Sequence, residues 1–207
     1  MNGAGAEGTR VRTEDLGFKE IEHKYVVGDE FDLPRFRERL TALGPSRTGS
    51  IRVRDRYYLL EGSLERRFMI RHRFDAELHH LTIKSLENDT EVRDEVNLDL
   101  GQHAGDQAAQ VDAFMARLGG VWSGTVQKDV DVWYFPDCEV VHYLASTGSR
   151  TVRCVEFEAT RRDSLAAALA IVDTFERATG FAGLVRSRLS LPQLLFPELV
   201  EKLARRA

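Results

Sequence analysis

EIEHK, residues 20–24 within the segment FKEIEHKYVV (18–27), decides how the chain is read. The β-branched and aromatic residues around it predict a strand. Strand side chains alternate between faces, so Glu20, Glu22 and Lys24 share one face while Ile21, His23 and Tyr25 occupy the other. A half-buried strand normally turns its apolar face inward and its charges to water. Two acids and a base on one face of one strand are too concentrated for that assignment to suffice.

The same habit recurs along the chain. IRVRDRYYLL (51–60), RRFMIRHRF (66–74), HHLTIKSL (79–86) and EVRDEVNLDL (91–100) follow as candidate strands. TVQKDVDVWYF (125–135), CEVVHYLAS (138–146) and TVRCVEFEA (151–159) bring the number to eight. Arg71 and Arg73 share a face in IRHR, Arg93 and Glu95 in VRDEV, and Glu156 and Glu158 in VEFEA. Short polar or glycine-containing stretches join most of them, as hairpins require. Three helical patterns interrupt the strands. Asp32 caps a helix whose Leu33, Phe36, Leu40 and Leu43 share a face before Gly44. Val111, Phe114, Met115 and Leu118 repeat that spacing before Gly119, and Leu165, Leu169, Val172 and Phe175 do so before Gly180. A terminal helix is expected over residues 192–204. No repeat or linker divides the chain, so residues 1–17 read as a flexible tail and 18–207 as one domain.

Amphipathic helices need a sheet surface to cover, and the apolar strand faces supply it. The charged faces then point the other way, into a closed barrel, and eight strands enclose room for one small ligand. The fold expected is α+β: an eight-stranded antiparallel closed β-barrel with helices packed outside. Its interior would hold both signs of charge. Glu20, Glu22, Glu156 and Glu158 are hard oxygen donors suited to Mg²⁺ or Mn²⁺. Lys24, Arg71, Arg73, Lys84, Arg93 and Lys128 suit phosphate oxygens. Between residues 51 and 73 seven arginines oppose three acids, in a chain of net charge −4. A metal-bound polyphosphate is the ligand that needs both sets.

Composition excludes other classes. With 207 residues, 43% apolar and 30% charged, the chain can bury a core. Its mild acidity argues against a general nucleic-acid coat. No apolar run approaches the roughly 18 residues of a membrane span, and the N-terminus lacks a signal peptide's apolar core; a cytoplasmic protein is expected. The cysteines, Cys138 and Cys154, make neither a disulfide framework nor a four-ligand zinc site and read as buried thiols. His79 and His80 face opposite ways on a strand, against shared ligation of one metal ion. There is no G-x-S-x-G elbow and no G-x-x-x-x-G-K-[ST] loop, so a triphosphate would be bound by side chains. Trp122, Trp133, Tyr57 and Tyr58 read as wall residues.

EIEHK matches the ExExK signature, and the chain resembles the CYTH superfamily, the triphosphate tunnel metalloenzymes. Later strands follow in family order: IRHR (70–73) is similar to the paired-arginine strand, LTIK (81–84) to the strand ending in a tunnel lysine, VRDEV (92–96) to the Arg-x-Glu strand and VEFEA (155–159) to the late Glu-x-Glu strand. The resemblance implies a triphosphate tunnel that binds a divalent metal, with members that hydrolyse inorganic, thiamine, nucleoside or RNA triphosphates and others that cyclise ATP. It implies Glu20 and Glu22 as metal ligands, Lys24 as a phosphate- or water-positioning group, and Arg71, Arg73, Lys84 and Arg93 as phosphate ligands. Glu95, Glu156 and Glu158 would supply carboxylates to the metal or to the basic network. Arg186, in RSRL (186–189), lies near the family's late basic position. Two departures stand out. Lys128-Asp129-Val130 replaces a frequent Lys-x-Arg, and Glu139, Val140, Val141 and His142 stand where an aspartate is often found.

The function expected is metal-dependent hydrolysis of a small triphosphate, with Mg²⁺ or Mn²⁺ as cofactor. The alternatives are a class IV type adenylyl cyclase and a non-enzymatic polyphosphate or nucleotide binder. The expected partner is the small triphosphate; nucleic acid enters only as a 5′-triphosphate end, no membrane is involved, and a homodimer is compatible with the sequence.

Overall fold

The computed structural model describes residues 16–86 and 91–204. The expected tail lies outside the described residues as far as residue 15, and Leu16–Phe18 form a 3-10 turn leading into the first strand. The eight expected strands are all present: β1 (Lys19–Val26), β2 (Arg47–Leu60), β3 (Phe68–Phe74), β4 (His79–Ser85), β5 (Val92–Asp99), β6 (Gly120–Tyr134), β7 (Cys138–Ser146) and β8 (Thr151–Ala159). All their pairings are antiparallel. They close into a barrel in the order β1-β5-β4-β3-β2-β6-β7-β8. The β2–β6 pair is longer than the sequence reading made it, because Arg47 already faces Tyr134 and Leu60 reaches Gly120.

The parity read from EIEHK holds. Ile21 and Tyr25 point outward and join Phe157, Val140 and Trp133 under α1 (Leu33–Ala42) and α3 (Leu165–Thr179), which contribute Phe36, Leu40, Ala168 and Val172. Each such large side chain taken fully from water is worth roughly 1.5–3 kcal/mol. Asp32 caps α1 by accepting a bond from the Arg35 backbone nitrogen. Ser164 caps α3 by accepting a bond from the Ala167 backbone nitrogen. That helix stops at Gly180, whose φ of +88° is the left-handed conformation glycine adopts without a Cβ clash.

α2 (Ala108–Arg117) covers the outer side of β2 and β3, where Val111 and Met115 meet Tyr58 and Ile70. The four-residue face expected there is only half right: Phe114 and Leu118 are 56% and 50% exposed. A short helix resting on a convex barrel touches it along a narrow line, and residues one helical step aside turn to solvent. The expected terminal helix is broken into α4 (Leu191–Leu195) and α5 (Pro197–Ala204), since Pro197 removes a helical N–H and disfavours helix at Phe196. These two segments have a positional consequence. Leu191, Leu195 and Leu199 pack against the inward-facing Val53, Tyr57, Met69, Val126, Tyr143 and Cys154. Among the described residues, one end of the barrel is therefore filled and capped by apolar side chains, leaving the charged interior above it.

Candidate functional site

Strand register brings the charged faces together. Glu20 lies across from Arg93, Glu22 from Glu158, Lys24 from Glu156, and Lys84 from Glu95. Glu20 accepts bonds from Lys84 Nζ at 2.9 Å and Arg93 Nε at 2.7 Å, and Arg93 also reaches Glu22. Lys24 Nζ lies 3.0 Å from both Glu22 and Glu156. Glu95 takes Lys84 at 2.6 Å and Arg71 at 3.2 Å, and the Tyr143 hydroxyl donates to Glu156 at 2.7 Å. Except for the half-buried Glu95, Glu156 and Glu158, these charged groups are buried.

A second cluster lies on the β2 side. Asp55, fully buried, accepts two bonds from Arg73, at 2.8 and 3.0 Å, and one ion-pair contact from Lys128 at 2.7 Å. Sequence reading missed Asp55, although its spacing from Ile51, Val53 and Tyr57 gives it the inward parity those residues share.

Both clusters line or adjoin one cavity of about 360 Å³, within the range of roughly 300–1,000 Å³ of small-molecule sites. Its walls hold seven basic side chains (Lys24, Arg47, Arg71, Arg73, Lys84, Arg93 and Lys128) and eight acidic ones, among them Glu20, Glu22, Glu95, Glu139, Glu156 and Glu158. Leu191 and Pro192 of α4 form part of its floor. At the far rim Arg47 pairs with Glu77 at 2.7 Å and covers the Tyr134 ring at 4.0 Å. The two departures are placed as well. Val130 lines the cavity between Lys128 and Val132, and Glu139 and Val141 face inward, so Glu139 is the carboxylate of its strand.

The electrostatics separate the acids. Burial opposes charge on Glu20 and Asp55, yet Arg93 and Lys84 hold Glu20, and Arg73 and Lys128 hold Asp55, well below the usual carboxylate range. Burial pushes Glu22 up against the pull of Arg93, with Glu156 and Glu20 adding to the rise. Burial together with Glu20 and Glu22 pushes Glu158 well above its ordinary value. Lys24, despite burial, is raised by Glu156 and Glu22 and stays a firm cation. Oxygens of Glu20, Glu22 and Glu158 lie within 4.8 Å of one another. Three crowded carboxylates, two of them penalised for their charge, form a donor set that fits a hard divalent cation. Glu156, expected with them, is instead engaged by Lys24 and Tyr143.

Two expectations are corrected. Arg186 does not line the cavity. It lies outside the barrel, 3.0 Å from Glu176 and 3.2 Å from Asp173, with Tyr25 at 3.3 Å. The segment after α3 passes behind β1, where Ser187 N donates to Lys24 O, and the buried Glu176 carboxylate draws Arg186 there as its counter-charge. The basic excess of residues 51–73 is also not a tunnel property. Arg52, Arg54 and Arg56 take the outward parity of β2 and pair with Asp129, Asp106 and Asp112, and only Arg71 and Arg73 of that stretch line the cavity. His79, as expected, turns away from His80; it lies outside the barrel, 3.0 Å from His72. Cys138 and Cys154 are buried free thiols.

No family model matches the sequence, and no curated protein matches it. Solved structures do match by fold. The PH1012 protein of Pyrococcus horikoshii OT3 is 17% identical with a TM-score of 0.65, over 85% of this chain and 99% of that one. A candidate adenylate cyclase of Bacillus halodurans is 17% identical at a TM-score of 0.57, over 86% and 99%. A chain of the Schizosaccharomyces pombe Mediator head module is 13% identical at 0.56, over 77% and 95%. The chain thus shares its closed eight-stranded antiparallel barrel fold with these structures. At these identities the likeness is one of fold, and a fold hosts unrelated functions, so activity has to be argued from the site. Among the described residues no helix is long and apolar enough to cross a membrane.

Proposed function

We propose that the chain is a metal-dependent triphosphatase that hydrolyses a small triphosphate inside the barrel. The observation that carries this reading is the meeting of Glu20, Glu22 and Glu158 with Arg71, Lys84 and Arg93 in one enclosed cavity. Glu20, Glu22 and Glu158 would hold the divalent cation, Mg²⁺ or Mn²⁺. Bound there, it would neutralise phosphate oxygens and favour a nucleophilic water. Arg71, Arg73, Lys84, Arg93 and Lys128 bind and align the phosphate chain. Their contribution is positioning and stabilisation of the charge that develops on the transferred group. Lys24, fixed as a cation between Glu22 and Glu156, donates hydrogen bonds and positions its partners; it does not serve as a base.

The apolar floor supports one direction of entry, with any organic group on the triphosphate left at the rim beside Arg47, Glu77 and Tyr134. Class IV type cyclase chemistry needs a seat for adenine. The Tyr134 face that would stack a base is already covered by the Arg47 guanidinium, which favours hydrolysis. Incubation of the purified chain with inorganic triphosphate and with ATP, in Mg²⁺ or Mn²⁺, separates the readings by product. Orthophosphate is expected. Cyclic AMP with pyrophosphate would replace the proposal by the cyclase, and binding without product would replace it by a polyphosphate sensor.

A further inference from the structure

Among the basic residues that line the tunnel, Lys24, Arg71, Lys84 and Arg93 are bonded to Glu20, Glu22, Glu95 or Glu156. A phosphate that recruits them has to exchange those pairs. Arg73 and Lys128 are held differently. Their common partner Asp55 stands on β2, directly across from Arg73 on β3 and one pleat from Lys128 on β6, whose register partner is Val53. It is wholly shielded from solvent and is not part of the Glu20, Glu22, Glu158 donor group.

We propose that Asp55 is a positioning residue which, by bonding Arg73 and Lys128 at once, presets them as a phosphate anchor that stays assembled when the tunnel fills. Its two bonds to Arg73, through Nε and Nη2, fix the plane of the guanidinium. One carboxylate set against two cations leaves positive charge for an incoming anion. Lys128 also lies 5.5 Å from the centre of the Tyr143 ring, which braces it from β7. The groups that face Lys128 are Asp55 from β2, which also accepts a bond from the Tyr57 hydroxyl at 3.3 Å, Arg71 and Arg73 from β3, Tyr143 from β7 and Glu156 from β8. Burial and the neighbouring arginines pull the Lys128 ammonium down to about 8, and Asp55 is the group that resists.

This inference rests on the polyphosphate reading of the tunnel, and its test has one arm that needs no ligand. In the ligand-free protein with ¹³C-labelled lysine, the NMR titration midpoint of Lys128 is expected to fall by about 1 or more in pH on Asp55→Asn, the scale of losing one close opposite charge. Calorimetry at pH 7.5 is expected to show inorganic triphosphate bound at least about tenfold more weakly by that variant. Asp55→Glu, which keeps the charge but displaces the carboxylate, is expected to retain a low but titrating Lys128 and still lose affinity. It also stands in if Asp55→Asn does not fold. Wild-type midpoint and affinity in Asp55→Asn, or wild-type affinity in Asp55→Glu, would overturn the positioning role. If the wild type binds no triphosphate while Asp55→Asn still moves Lys128, the polyphosphate reading fails instead, and the anchor with it.

Discussion

Glu22 and Glu158 stand directly opposite one another across the β1–β8 ladder. Like charges at such positions are unfavourable in a sheet, and the two are on neighbouring strands of the donor group that also contains Glu20. A sequence selected for stability alone would not place them there, whereas a cation between them turns repulsion into shared coordination. Glu22→Gln and Glu158→Gln should each reduce metal-dependent turnover by about 100-fold or more, the scale of removing a group that sustains transition-state charge stabilisation. Initial rates over a range of Mg²⁺ and Mn²⁺ concentrations check this. Near-normal maximal rates in both variants would remove these residues from the metal site.

Arg71 is buried, bonded to Glu95 and to the Thr82 hydroxyl. As one of several cations along the cavity, it should matter most to the longest phosphate chain. Arg71→Met is expected to weaken inorganic triphosphate by about tenfold or more, as loss of a charge-assisted bond implies. Orthophosphate should suffer less. Competition binding with ortho-, pyro- and triphosphate makes the comparison, and equal losses for all three would contradict a tunnel that reads chain length.

How much of this was legible beforehand follows from what each face of a strand had to satisfy. In EIEHK the outward face is Ile21, His23 and Tyr25, so parity is unambiguous and the inward set follows. In IRVRDRYYLL arginine stands on one face and aspartate on the other, and both look polar at Asp55. The inward Val53 and Tyr57 mark its side, whereas the local excess of arginine points to a basic interior although Arg52, Arg54 and Arg56 pair outside with Asp129, Asp106 and Asp112. Those partners come from a distant strand, loop and helix, so only tertiary structure supplies them. The place of Arg186 escapes sequence reading for the same reason: it depends on the buried Glu176, 10 residues earlier on α3. Glu139 was visible as a residue but not in register, because CEVVHYLAS alternates acid, apolar and histidine without a clean period.

The pairing of basic and acidic side chains inside the barrel is more complete than charge counting suggests. Of the cations that line the cavity, all seven have a carboxylate within ion-pair distance. A phosphate chain arriving alone must separate several of these pairs, and so must a cation arriving alone. When both arrive, the displaced carboxylates and cations find new partners together, so each ligand should strengthen the other. The expected coupling is about 5- to 150-fold, equal in both directions by linkage. Calorimetry with a non-hydrolysable triphosphate analogue, corrected for metal–analogue association in solution, measures it. Equal analogue affinity with and without saturating metal would show that the pairs do not exchange.

In the folded chain Glu158 is pushed well above its ordinary value of 4.5 by burial and by Glu20 and Glu22. An acid raised in the folded state holds its proton there at pH values where the unfolded chain has released it. Stability from this group therefore falls as pH rises from 4.5 through the raised folded value, and the full cost remains at higher pH. Glu158→Gln removes the charge and with it the cost. Without metal, the variant should melt higher than wild type by about 2–4 °C at pH 8, corresponding to about 1 kcal/mol in a chain of this size. The gap should close as pH falls to 4.5. Burial pulls His72 and His142 below their ordinary value, which makes both proteins less stable on acidification, but that effect is common to the pair and cancels in the difference. Paired melting curves between pH 4.5 and 8 in the presence of chelator test it. A gap of the opposite sign, or one that does not change with pH, would mean that Glu158 is at ease as a carboxylate and that its crowding with Glu22 needs no cation.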